Sequence, residues 1–197
     1  MRSLLILLFA ALTPLTTLAQ KKKKGTHYAL LVGVNEYSSG HLRKLKYAER
    51  DVTELSQVLT QKAGFGKEHV ILMTKTQAGR NLSLAPESKK IRRYLRKLVE
   101  VCEENDTLIL SFAGHGIQFK GETKHYFCPA DAELNDRDTM LDLDKDVYQV
   151  LKSKCKARVK LLLVDACRND PRNTTGRTAR KEIDLQGLND PQRLKRP

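Results

Sequence analysis

The chain has 197 residues, 40% of them hydrophobic and 30% charged, a composition that suits one globular domain with a sizeable core and leaves no room for a second. Lys and Arg outnumber Asp and Glu by 36 to 23, giving a formal net charge of +13. The basic residues fall in runs (Lys21 to Lys24; Lys89, Lys90, Arg92, Arg93, Arg96 and Lys97; Arg177, Arg180, Lys181, Arg193, Lys195 and Arg196) that read as solvated faces, and with no aromatic residues interleaved as stacking platforms, nucleic acid is not an expected partner.

Arg2 precedes nine apolar residues, Leu4 to Leu12, and Thr17-Leu18-Ala19 has the small residues a signal peptidase needs. Residues 1–19 are therefore expected to be a signal peptide, 20–26 a basic linker and 27–197 the domain. Nine apolar residues are too few to cross a bilayer core as a helix, so the mature chain is expected to be exported, with no integral membrane segment. Tyr28 to Val34 is a continuous apolar run ended by Asn35 and Glu36, the pattern of a central strand. Ala48, Val52, Leu55 and Leu59 then repeat at helical spacing, with Gly64 and Gly66 as the stop. Asp51 lies on the flank of that apolar face, where a carboxylate needs a partner.

Val70 to Met73 predicts a short strand and a polar loop follows through Gly79 and Asn81. A longer helix is expected from about Pro86 to Asn105, with Ile91, Tyr94, Leu95, Leu98 and Cys102 on one face. Thr107 to Phe112 reads as a strand leading into Gly114-His115-Gly116, and after a turn at Gly121 the Tyr126 to Cys128 segment reads as another near the same edge. A third helix, capped by Asp142 or Asp144, is expected to bury Leu143, Val147, Val150 and Leu151. Val159 to Val164 then forms a strand, expected to be buried, that delivers Asp165-Ala166-Cys167 where polarity changes abruptly at Arg168. From Pro171 to Pro197 no periodic core is legible. Strands alternating with helices predict an α/β fold, a mainly parallel sheet with helices on both faces.

In such sheets ligands bind beyond the carboxyl ends of the strands, where His115 and Cys167 are both expected. A lone cysteine is ordinarily one more small buried residue; a histidine between two glycines at a second strand end changes that reading. A thiol becomes a competent nucleophile when a base raises its thiolate fraction, and His115 can serve as that base. The N–H groups of Gly116 and Cys167 are candidates to stabilise the charge that develops on a carbonyl under attack. Cys102, Cys128, Cys155 and Cys167 are too few for a disulfide framework. With no Cys-x-x-Cys or His-x-x-x-His, and His125 and Cys128 only two ligands, no metal or other cofactor is expected. His27, His41, His69 and His125 read as surface or strand-end residues.

A strand ending in Gly-His-Gly, followed about fifty positions later by one ending in Asp-Ala-Cys-Arg, resembles the caspase-like cysteine peptidases (peptidase C14), and the Asp165-Ala166 pair before Cys167 is closer to their metacaspase and bacterial branch. The resemblance runs from about Tyr28 to Asp170. It implies peptide hydrolysis by a Cys167–His115 dyad and a peptide or protein substrate with a basic residue before the cut, with Asp51 and Asp165 at the positions that line the specificity pocket. Three departures stand beside it. Ala113 replaces a frequent serine. The acidic cluster that binds calcium in some relatives is only partly matched by Asp131, Asp144 and Asp146, with Lys145 interrupting it and Thr174 at a later acidic position. The family's fold also has further strands and helices after the nucleophile, so the chain is expected to lack that C-terminal portion. Two other readings are open: an incomplete caspase-like domain acting as a binding module, and a basic surface that binds anionic polymers.

Overall fold

The computed structural model describes residues 24–166. The expected signal peptide, Lys21 to Lys23, Cys167 and the tail from Pro171 lie outside the described residues.

Apolar runs with both faces buried set the centre of the molecule. Strand β1 (His27–Gly33) leads to helix α1 (Ala48–Lys62), then β2 (Val70–Met73), the short α2 (Lys75–Ala78), α3 (Ser88–Val101) and β3 (Thr107–Gly114). Three two-residue strands follow, β4 (Gly116–Ile117), β5 (Tyr126–Phe127) and β6 (Leu141–Asp142), before α4 (Gln149–Lys154) and β7 (Val159–Ala166). β2, β1, β3 and β7 pair in that order, all parallel, and β4, β5 and β6 form a small antiparallel sheet.

Alternation along β1 splits the core in two. Leu30 and Val32 pack with Ile91, Leu95 and Leu98 of α3 and Leu151 of α4, while Ala29 and Leu31 pack with Ala48, Val52 and Leu59 of α1 on the opposite face. Fully burying a Leu, Ile or Val side chain contributes roughly 1.5–3 kcal/mol. A third cluster, including Leu42, Ile117, Phe119 and Met140, surrounds the small sheet. The expected α/β class with helices on both faces is what the structure has.

Boundaries shifted where polar groups far away in sequence act on the chain. α3 starts at Ser88 because Asp131 accepts from Ser88 N (2.8 Å) and Ser88 Oγ (3.0 Å), a cap supplied by a loop 43 residues on. It stops at Val101, short of Asn105, because Asp106 turns the chain by accepting from Glu103 N at 2.7 Å and Thr26 N at 2.7 Å. The polar loop after β2 holds α2, capped by Thr74, which accepts from Gln77 N at 3.1 Å. Asp142 caps the third helical segment by accepting from Asp144 N and Lys145 N; the chain then makes one wide turn over Leu143–Tyr148 before α4.

One expectation is corrected. β7 is not a buried strand: among the described residues it is the outer strand of the large sheet, with Val159, Leu161, Leu163 and Val164 at 45%, 43%, 38% and 42% exposure. An unbroken apolar run signals two faces meant for burial, but the described residues place no further strand along its outer edge.

Candidate active site

His115 is the single residue between the two sheets. Its predecessor Gly114 ends β3, and its successor Gly116 opens β4. A Cβ on Gly114 would lie 3.0 Å from Tyr37 Oη and 3.1 Å from Phe127 Cε2, so the close approach of those rings requires glycine there. The His115 main chain is gripped on both sides, its N–H donating to Tyr37 Oη at 2.8 Å and its carbonyl accepting from Cys128 N at 2.9 Å.

The half-buried imidazole lies against the Tyr37 ring, with centroids 5.0 Å apart, and its Nε2 is 2.8 Å from the Arg43 carbonyl oxygen. A carbonyl only accepts, so Nε2 carries the proton and a neutral imidazole keeps Nδ1 as its proton acceptor. Arg43 lies in the β1–α1 loop, which Leu45 N anchors to Asn35 O at 2.8 Å and Ser38 N to Ala130 O at 2.8 Å.

The strand register fixes what lies beside this histidine. The last pair of β3 and β7 is Gly114 with Ala166, and Ala113 pairs with Asp165. Cys167, the next residue in the chain, lies outside the described residues. Gly116 faces Phe127 across the small sheet. Since the flanking bond runs from Cys128 N to His115 O, Gly116 occupies a wide pair and its N–H points away from β5, off the outer edge of β4. A cleft of about 610 Å³ opens next to Gly116 and Ala166, walled by Ile117, Tyr126, Leu143 and Val164.

Asp165 is exposed and belongs to the row Gly33, Ala113, Asp165, on the sheet face that α1 covers. The first turn of α1 crosses that row at Gly33, where a Cβ would meet Ala48 O at 2.6 Å. Asp51, in the first turn of α1, is also exposed. The acidic residues weighed for calcium are engaged within the fold. Asp131 caps α3, Asp146 accepts from Arg92 Nη2 at 2.8 Å, and Asp144 accepts from Gln149 Nε2 at 3.5 Å.

Two further thiols are set apart from chemistry by burial. Cys128, fully buried beside His115, is pushed up to about 12 by desolvation, and Cys102 is pushed up to about 12 by desolvation and by the neighbouring Cys155 thiol. Tyr37 and Arg43 were not legible in advance. Tyr37 follows the polar Asn35-Glu36 break like any loop residue, and Arg43 contributes a main-chain oxygen, which no side-chain pattern can signal.

Comparison with known proteins gives this arrangement a context. The family model described as the caspase domain matches residues 26–194. Metacaspase-1B of Aspergillus niger is 27% identical over 147 residues, 73% of this chain and 33% of that protein. Metacaspase-4 of Arabidopsis thaliana is 32% identical over 98 residues, 50% of this chain and 22% of that protein. Among solved structures, a Geobacter sulfurreducens protein superposes with a TM-score of 0.55 at 22% identity, covering 72% of this chain and 50% of its own. The structure of pro-sf-caspase-1 superposes with a TM-score of 0.50 at 20% identity, covering 82% and 53%. The chain thus spans about half the length of these solved structures and a third or less of the two metacaspases.

Proposed function

The chain belongs to the caspase-domain family, and from that premise we propose that it is a cysteine-type endopeptidase in which Cys167 attacks, His115 moves the proton, and Asp51 with Asp165 selects Arg or Lys before the cut. One observation carries the reading. Gly114 and Ala166 are paired on adjacent parallel strands, and the residues that follow them in the chain are His115 and Cys167. Neighbouring strands run roughly 4.8 Å apart, so a thiol and an imidazole at such positions are within reach of one proton transfer.

The steps follow from the groups present. Cys167 Sγ gives its proton to His115 Nδ1 and adds to the substrate carbonyl carbon, while the Gly116 and Cys167 N–H groups hold the developing oxyanion. The imidazolium, steadied by Nε2–H donating to Arg43 O, passes the proton to the leaving amine. Water, deprotonated by the same imidazole, then cleaves the thioester. A guanidinium entering between two carboxylates gains charge-assisted hydrogen bonds, and an acidic side chain meets like charge.

Fluorogenic peptides with Arg, Lys or Asp before the cut test this reading, on the present chain and on a version extended past Pro197. Arg is expected first, Lys somewhat behind because its point charge cannot fork between two acids, and Asp uncleaved. A preference for Asp contradicts the specificity, and turnover retained in Cys167→Ala contradicts the dyad. Export through residues 1–19 belongs to the same proposal; a mature N-terminus at Gln20 supports it and an intact Met1 opposes it.

A second reading, a caspase-like domain that binds without cleaving, is favoured by the apolar surface that β7 exposes among the described residues. It predicts peptide binding without turnover in both versions.

A further inference from the structure

We infer that Tyr37 is a positioning residue for His115, its hydroxyl fixing the main chain and its ring the plane of the imidazole. The inference rests on His115 acting as the base of the proposed reaction, and it begins with an N–H that has no place in either sheet.

β3 ends at Gly114 and the ladder of β4 with β5 begins at Gly116, so the His115 N–H would be an orphan donor at the junction. Tyr37 Oη accepts it at 2.8 Å and donates its own proton to Val34 O at 3.1 Å. The hydroxyl is therefore directional: the bond to Val34, on the residue after β1, orients the lone pair that meets His115. Burial raises the phenol well above its ordinary value, so it keeps the proton it needs for Val34 across the working range.

The same ring lies 5.0 Å from the imidazole at an interplanar angle of 35°. Tyr37 packs against both the main core and the cluster around the small sheet, and the bond from Ser38 N to Ala130 O holds the next residue. One loop thus supplies two grips on His115, the Tyr37 hydroxyl on its main chain and the Arg43 carbonyl on Nε2. With both in place Nδ1 has a single direction. Gly114 fits the same account, since a side chain there would displace the hydroxyl.

Tyr37→Phe removes one oxygen and keeps the ring. It leaves a donor unpaired at the junction, so the Gly114–His115 peptide relaxes and the imidazole slips from Arg43 O. The experiment is nitrogen NMR of the full chain labelled at histidine, above the imidazole titration, combined with kcat and KM on an Arg peptide. Tyr126→Phe, at a buried tyrosine whose hydroxyl meets Glu122, is the control for fold stability.

Wild type is expected to hold His115 in the Nε2–H tautomer, and Tyr37→Phe to show both tautomers. Its kcat should fall about ten-fold with KM within about two-fold, and its Tm should drop no further than that of Tyr126→Phe. A single Nε2–H tautomer and unchanged kcat in Tyr37→Phe overturn the inference. If Tyr37→Phe mixes the tautomers but neither protein cleaves peptide, the positioning stands and the peptidase reading falls. Should Tyr37→Phe not fold, wild type decides: both tautomers in it, or rapid hydrogen exchange of the His115 amide, contradicts the grip.

Discussion

At the scale of single residues, His115 belongs to no strand and is held by groups that belong to others, which is how a side chain keeps one orientation at the edge of a sheet. His115→Ala and Cys167→Ala are each expected to abolish turnover, and the double variant to lose little more, because nucleophile and base act as one unit. Asp165→Asn should cost about one to two orders of magnitude in kcat/KM on Arg substrates, from roughly 1.5–3 kcal/mol per charged hydrogen bond, with Asp51→Asn acting in the same direction. The buried thiols give a pH prediction with a definite sign. Burial pushes the Cys128 thiol up to about 12 in the fold, against roughly 8.5 for a free thiol, so its contribution is whole below about pH 8.5 and is lost as pH rises, by roughly 1.4 kcal/mol per unit. Urea unfolding between pH 8 and 10 should show that decline, and Cys128→Ala should lessen it, the share of Cys102 remaining. His115 and Cys167 stood out in the sequence because glycines and an abrupt polarity change mark strand ends. Tyr37 did not, because its role depends on a fold that brings residue 37 against residue 115.

Among the elements, strands and helices whose apolar residues keep a period were legible: β1, β2, β3, α1 and most of α3 follow from pattern alone. Elements set by distant polar groups were not. The start of α3 depends on Asp131, and the outward face of the same helix is tied down by Arg92, which donates from Nε at 3.2 Å and Nη2 at 2.8 Å to Asp146 and from Nη2 at 2.6 Å to Met140 O. Asp131→Ala should lower unfolding free energy by about 0.5–2 kcal/mol, read from urea midpoints at constant slope. Arg92→Lys loses the fork while keeping the charge, so it should also destabilise. β5 was read in the Tyr126 to Cys128 segment, whereas β4 and β6 are too short to leave a periodic trace, and their place beyond the end of β3 comes from the cluster of Leu42, Ile117, Phe119 and Met140 rather than from local preference.

For the whole molecule, the parallel sheet carries α1 on one face and α3 with α4 on the other, and among the described residues its outer strand β7 exposes apolar side chains. The unbroken apolar pattern of β7 anticipated burial on both faces that the described residues do not supply. Exposed apolar strand edges invite association, so sedimentation of the present chain is expected to depend on concentration, and Leu161→Lys with Leu163→Lys to reduce that dependence. Export of the chain would place its basic surface before whatever anionic material surrounds it, a matter separate from cleavage. Whether His115 activates Cys167 is read most directly from the rate at which iodoacetamide modifies Cys167 at pH 6.5, followed by mass spectrometry in wild type and in His115→Ala. Cys167 is expected to react about ten-fold or more faster in the folded wild type than in the unfolded chain, His115→Ala to remove the difference, and Cys102 and Cys128 to stay unmodified in both folded proteins. Equal rates at Cys167 with and without His115 would contradict that activation.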